Sequence, residues 1–209
     1  MSPRRARRDD ILGCAAELFA RKGVASTTVR DIGAAADIYS GSLYHFFVSK
    51  DVIVAEILAA FMDDVHSTFR AAVDSAADPV HAVRGLIDAT LSVIDRHPHA
   101  TRIYQNDRAY LREHGLLEPV DAASRGIRDF WMGALHAGIA DGSFRDDVPP
   151  EVFYRSVRDT LWSTTHWPVR RHYRTQDLAE VIWRLFFTGF AAPGAGLGAS
   201  STANANATA

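Results

Sequence analysis

The stretch TTVRDIGAAADIYSGSLYHFFVSKDVI, residues 27–53, constrains the fold of this chain more than any other. It places two helical segments and one abrupt break in very little chain. An isolated helix shorter than about a dozen residues is marginal in water, so neighbouring elements must hold both segments. Ile32, Ile38, Leu43 and Phe47 provide apolar contacts for that purpose, and the small Ala34 and Ala35 permit close helix approach. Thr28 opens the first segment with Asp31 three residues on, the spacing of a capping box. Ser40 is expected to cap the second, over residues 41–47, and Ser49 to cap a long helix from Lys50 to about Ala76. That long helix would span roughly 40 Å at the helical rise.

Helical periodicity continues on both sides of this stretch, and no alternating strand pattern persists. Upstream, Ile11, Leu12, Ala15, Leu18 and Phe19 recur at helical spacing, with Gly23 as a stop signal. Downstream, helices are expected at 80–97, 99–113, 117–141, 149–167 and 176–191. The breaks between them fall at HPH (97–99), HGLLEP (114–119) and DGSFRDDVPP (141–150). The fold class is therefore all-α, with about nine helices. Residues 1–50 form a head joined by the helix 50–76 to a body over 77–192. The Gly/Ala-rich residues 193–209 are expected to be a disordered tail.

With 209 residues, 47% of them apolar, the chain can bury a sizeable core. No apolar run is long enough for a membrane span, and the basic start lacks the features of a secretory signal. Cys14 is the one cysteine, which excludes an internal disulfide, suits a reducing cytoplasm and fits a small core position. The net charge of −2 conceals an asymmetry: residues 1–50 carry eight Lys/Arg and five Asp/Glu, the remainder 15 and 20. A basic head on an acidic body suits a nucleic-acid end joined to something else, although an ordinary mixed surface gives similar numbers.

Helix, tight turn and short helix make the unit whose second helix enters the major groove of DNA. Gly41 and Ser42 leave room for close approach, while Tyr44, His45 and Lys50 offer donors to phosphate oxygens. Arg4, Arg5, Arg7 and Arg8 form either an arm along the adjacent groove or a solvated, frayed end.

These residues resemble the N-terminal domain of TetR-type transcriptional repressors. The pattern runs T-T-V-R-D-I, A-x-x-A-x-I/V, S-x-G-x-L-Y and F-x-S-K-[DE], over about 45 residues that include AAELFARKG. The resemblance implies a DNA-facing set of Thr28, Arg30, Ser40, Gly41, Ser42, Tyr44, His45 and Lys50. Ser40, Gly41 and Ser42 would lie nearest the bases, with Thr28, Tyr44 and Lys50 on phosphates. Phe46 departs from the family's usual His or Tyr and removes one phosphate donor. Arg30 could instead pair with an acidic neighbour, and Tyr44 could be a packed aromatic.

Two reading heads on double-stranded DNA imply a homodimer on a near-palindromic operator. The segment DLAEVIWRLFFTGF is apolar around much of its circumference, through Leu178, Val181, Ile182, Trp183, Leu185, Phe186 and Phe187, more than one intrachain face could bury. The last two helices are thus the expected interface, as they are in the family.

The body carries polar and aromatic residues where a plain core would not favour them: Tyr104, Gln105 and Arg108, then Phe130, Trp131 and His136, then Arg158 and Trp162. Arg158 and Trp162 lie one turn apart on one helix face. A cation beside a flat ring suits a phosphate-bearing, aromatic ligand. A narrower resemblance, through IYQ, R..W...L..GI..G.FR.D and YR..RDT.W, is to the TetR-type repressors of actinobacterial steroid-ring catabolism, which respond to coenzyme A thioesters. It implies a ligand set of Tyr104, Gln105, Trp131, Arg158 and Trp162, with Arg158 and Trp162 on the coenzyme A part. No resident cofactor or metal is expected, only this small-molecule effector. Arg158 with Asp159 also suits an interface ion pair, Trp162 a core position, and Arg170, Arg171 and Arg174 a solvated loop. A repressor of an efflux or other operon sensing a different lipophilic molecule is the alternative. Catalysis is not expected: there is no Gly-rich phosphate loop, nucleophile elbow or metal-binding carboxylate pair, and His97 and His99 sit at a helix break without a third ligand.

Overall fold

The computed structural model describes residues 3–188. Among these the chain forms ten α-helices and no strand: α1 (Pro3–Lys22), α2 (Val29–Ala35), α3 (Ser40–Leu43), α4 (Lys50–Asp74), α5 (Pro79–Arg96), α6 (Pro98–Asn106), α7 (Arg108–Glu113), α8 (Leu117–Ala140), α9 (Pro150–Ser163) and α10 (Thr175–Thr188). Two single 3₁₀ turns, Thr164–His166 and Arg170–His172, link α9 to α10. No helix among the described residues is long and apolar enough to cross a membrane. The expected tail lies outside the described residues.

The count is ten rather than nine because the helix expected over 99–113 breaks at Asp107. Asp107 leaves helical geometry (φ −101°, ψ 18°), and its carboxylate accepts the Val24 N–H of the α1–α2 loop at 2.9 Å. Burial pushes this carboxyl group up from its ordinary value, opposed by the Val24 hydrogen bond and the field of Lys50. A long-range contact thus overrides a local periodicity that had no visible stop.

The cap of the long helix is as expected, with the Ser49 hydroxyl accepting from Val52 N–H at 3.2 Å. The capping box of α2 also forms: Thr28 Oγ1 accepts from Asp31 N–H at 3.1 Å, and Asp31 accepts from Thr28 N–H at 2.9 Å. Those bonds, backbone first, hold the Asp31 carboxyl down at about 2. The third helix corrects the expectation. It is one turn long, Tyr39 rather than Ser40 is its N-cap, and no side chain caps it. Residues 44–46 continue it only as turns.

One continuous core runs from Ile11 in α1 to Ile182 in α10. Helix α5 is central, burying Val83, Leu86, Ile87, Leu91 and Val93 against α4, α8, α9 and α10. Helix α4 presents Ile53, Val54, Ile57, Leu58, Phe61, Met62, Val65 and Phe69 along one stripe and so spans from head to body. Cys14 packs at the edge of this core, half-buried.

Within the head, Ile32, Leu43 and Phe47 are buried and Ile38 half-buried, as their spacing implies. The close approach is made elsewhere than expected. Ala34 and Ala35 are exposed, and Gly33 faces the turn: a Cβ there would lie 3.0 Å from Ile38 O and 3.2 Å from Ser40 Cα. Asp37 completes the turn in the left-handed region (φ 51°). Arg7 clamps it by donating to Ala36 O at 2.7 Å and Asp37 O at 3.1 Å. Gly33→Val is therefore expected to destabilise the head by about 1–3 kcal/mol. Thermal unfolding should show the loss, and operator binding should fall more than effector binding.

Candidate functional site

Four of the expected head residues share one shallow hollow. Thr28 and Arg30 from the start of α2 meet Ser40 and Tyr44 from α3 and its end, with Val29 at the floor. Arg30 is exposed and enters no ion pair among the described residues, so the acidic-partner reading does not hold. Tyr44 is 57% exposed, so it is no packed aromatic. Gly41 is exposed with open space where a Cβ would stand, and His45 is exposed beside it. Ser42 is half-buried, its N–H bonded to Tyr39 O at 2.8 Å. Phe46 is half-buried against the core, a packing residue rather than a polar contact.

Two expected phosphate contacts are modified by their partners. The Thr28 hydroxyl is engaged on both sides by Asp31. The Lys50 ammonium donates to Val24 O at 2.8 Å and Thr27 O at 3.0 Å, and lies 5.0 Å from the Tyr110 ring centre. It braces the loop leading into α2, with one N–H left over. The basic arm is likewise part of the head: α1 already begins at Pro3. Arg4 donates to His45 O at 3.2 Å, Arg7 holds the turn, and Arg8 pairs with Glu56 while lying 4.4 Å over Phe47.

Tyr39 is a further surface residue that spacing did not reveal. It is 88% exposed at the N-cap of α3, directly before Ser40. The signal available in the sequence was a large aromatic directly before the Ser40 to Ser42 run. Val48, 78% exposed, stands on the other flank of the short helix.

In the body, a cavity of about 310 Å³ lies between α4, α5, α6, α8 and α9. Tyr104, Trp131, Arg158 and Trp162 all line it, so residues from three separate helices, α6, α8 and α9, converge. The Tyr104 and Trp162 rings lie 5.5 Å apart, and Trp131 and Tyr154 6.1 Å apart. Trp131 and Tyr154 are almost fully buried, and burial pushes the Tyr154 phenol up. Gln105 is the exception. It donates to Trp162 O at 2.9 Å and accepts from Thr165 Oγ1 at 3.1 Å, which makes it a strut behind the wall.

The polar part of the wall holds Arg125, Arg128 and Arg158, with Asp121 and Ser124. Arg158 is paired with the exposed Asp159 at 2.7 Å and lies 5.5 Å over the Tyr154 ring. Arg125 meets Glu118 at 3.0 Å, and Arg128 pairs with Glu151. The Arg158–Asp159 and Arg125–Glu118 pairs are exposed at the carboxylate and contribute little, so an anionic ligand can replace those carboxylates at low cost, whereas Arg128–Glu151 is half-buried. Tyr154, Arg125 and Arg128 escaped the sequence reading, although Tyr154 precedes Arg158 by one turn and Arg128 precedes Trp131 by three residues. Arg108 is tied to Asp121 at 2.7 Å, and Arg170 is fastened to Asp95 at 2.7 Å rather than solvated. His97 contacts Asp64 at 2.9 Å, and no metal-binding group of side chains occurs among the described residues.

Two family models match this chain. Residues 11–57 match the family of bacterial regulatory proteins, tetR family, and residues 76–190 match the tetracyclin repressor-like C-terminal domain. The chain is 41% identical to the HTH-type transcriptional repressor KstR2 of Rhodococcus jostii, over 77% of this chain and 79% of that one. It is 38% identical to KstR2 of Mycobacterium tuberculosis, over 77% and 80%. The solved structure of the ketosteroid transcriptional regulator KstR2 of Mycobacterium tuberculosis superposes with a TM-score of 0.80 at 34% identity, covering 88% of this chain and 94% of that one. Basic-headed, helix-turn-helix at its start and cavity-bearing in its body, this chain belongs to the tetR family of bacterial regulatory proteins: it is a DNA-binding transcriptional repressor similar to KstR2, and not an enzyme.

Proposed function

We propose that the protein acts in the cytoplasm as a homodimer that represses from a near-palindromic operator and is released by a coenzyme A thioester of a steroid- or lipid-derived acid. The observation that carries this reading is the juxtaposition in one cavity of an aromatic wall, Tyr104, Trp131 and Trp162, with three arginines. Rings accept a flat apolar acid, and guanidinium groups suit phosphates, which they bind in a bidentate way. Similarity to a ketosteroid regulator supports a steroid-derived acyl group. At about 310 Å³ the cavity is at the small end of ligand pockets. A thioester would therefore place its acyl part inside and its nucleotide at the arginine-lined mouth. The same volume favours, as a second reading, a smaller lipophilic effector controlling an efflux or other operon.

Dimerisation is supported by α9 and α10. Leu178 and Ile182 turn into the core of their own chain, whereas Val152, Val181 and Leu185 are 55%, 49% and 43% exposed. Trp183 and Phe187 stack at 3.7 Å beside them. A second copy would cover this apolar face and set two heads roughly 34–36 Å apart. Effector binding would favour a spacing that no longer fits the operator, and a hundredfold release needs about 2.7 kcal/mol of differential affinity.

Three outcomes are expected. In fluorescence anisotropy with a labelled upstream duplex, Tyr44→Phe and Tyr39→Ala should each weaken binding about three- to tenfold, the scale of a lost hydrogen bond or contact per head, and leave effector affinity unchanged. Arg158→Ala should reverse this pattern, raising the thioester concentration needed for release about ten- to hundredfold while the operator is held as before. Equal damage to both functions by either class of variant would contradict two separable sites. Leu185→Asp should convert the dimer to monomer in light scattering and lower operator affinity by at least about tenfold. In wild type, release by steroid-derived thioesters but not by free acids or free coenzyme A supports the first reading. Release by uncharged lipophiles alone supports the second.

A further inference from the structure

Met62 closes one end of the effector cavity. Its side chain is 6% exposed, and it forms part of the cavity wall and, on its other side, part of the wall of a second hollow of about 190 Å³. Ala55, Leu58 and Ala59 of α4 bound the second hollow on one side, and Leu116, Val120 and Ala123 at the start of α8 bound it on the other. The two hollows are consecutive stretches of one seam. Along α4 the lining passes from Ala59 through Met62 to Val65, and along α8 from Val120 through Ser124 to Ile127. They differ in chemistry. The first has three arginines in its wall, whereas the second has none and Asp63 as its one charged lining residue.

We propose that Met62 is a movable partition and that the second hollow is a subsite for the distal hydrocarbon of the effector. This rests on the effector cavity as read above, but concerns only the apolar end of the ligand. Methionine is unbranched, with three rotatable bonds and a polarizable thioether, so it changes rotamer at little cost and packs equally well on hydrocarbon. With Met62 turned aside, the seam lengthens toward the N-terminal end of α4 by more than half the volume of the first cavity. The anionic head stays at Arg125, Arg128 and Arg158, because nothing in the second hollow would hold it. An acidic rim at Asp63 further excludes the anionic end from that side. The acids accepted are then long or extended ones, whose tails reach past Met62.

The test uses butanoyl-, octanoyl- and dodecanoyl-coenzyme A and the matching free acids, with binding followed through the fluorescence of Trp131 and Trp162. In wild type, affinity should rise with chain length, up to about fourfold per buried methylene. Ala59 is exposed, so Ala59→Phe fills the subsite from the surface without disturbing the core. It should leave the butanoyl compound unaffected and weaken the dodecanoyl one at least tenfold. Met62→Ala, which removes the partition, should strengthen the octanoyl compound several-fold. Should Met62→Ala fold poorly in thermal unfolding, Ala59→Phe decides alone. Thioesters that bind with no length-dependent response to Ala59→Phe overturn the subsite and leave the thioester reading standing. Free acids that show the full pattern while thioesters fail to bind support the subsite and remove the thioester. If neither series binds, both fall.

Discussion

The first turn of α4 holds the two halves of the molecule together. Lys50 and Asp51 are adjacent and reach opposite ways: Lys50 to the carbonyls of Val24 and Thr27, Asp51 to the Tyr110 hydroxyl and to a ring nitrogen of His114 at 3.0 Å. Burial works against charge on Asp51, and the hydrogen bonds from Tyr110 and His114 with the field of Lys50 outweigh it, so the carboxyl stays below its ordinary range. Desolvation, followed by the Asp51 contact, pushes the Tyr110 phenol up. The elements adjoining these ties, α2 and α7, are each too short to persist alone. Hydrogen bonds to charged groups are worth about 1.5–3 kcal/mol when well shielded, and these are partly exposed. Their main effect is to define where the head sits.

That placement links the reading surface to the cavity through a single rigid element. Helix α4 starts at the joint and lines the cavity with Met62, Val65 and Phe69. At 1.5 Å per residue, Lys50 and Met62 are roughly 18 Å apart along one helix. A ligand that separates α4 from α8 acts on the same helix that positions Lys50. Within the head, Arg7 holds the turn and Arg8 pairs with Glu56 of α4, while α1 also packs on α6 and the Val24 N–H donates to Asp107, so any shift of α4 is felt at these contacts too.

Local chemistry was readable where partners are near in sequence. The capping pair Thr28–Asp31, the Ser49 cap and the Gly23 stop involve partners within a few residues, and each forms as the spacing implies. The head's apolar residues followed in the same way. What could not be read were partners far apart in the chain. Asp107 breaks a helix for Val24, Lys50 is drawn to the α1–α2 loop, and Gln105 braces residues 162 and 165. Ala34 and Ala35 looked suited to close approach by size, but only the path of the turn shows that Gly33 faces it.

By itself, the sequence determined an all-α chain with a basic helix-turn-helix head, the family to which it belongs, and the stripe carrying Arg158 and Trp162. Periodicity, caps and motif spacing are properties of neighbouring residues, and these suffice for that much. Only the tertiary structure decided which side chains converge. It brought Tyr104, Trp131 and Trp162 around one cavity with three arginines, set Met62 between two hollows, turned Tyr39 outward and assigned Lys50 and Arg7 to bracing. Those outcomes depend on how helices cross, and a helix shows its neighbours no more than a stripe of side chains until packing selects which stripe meets which.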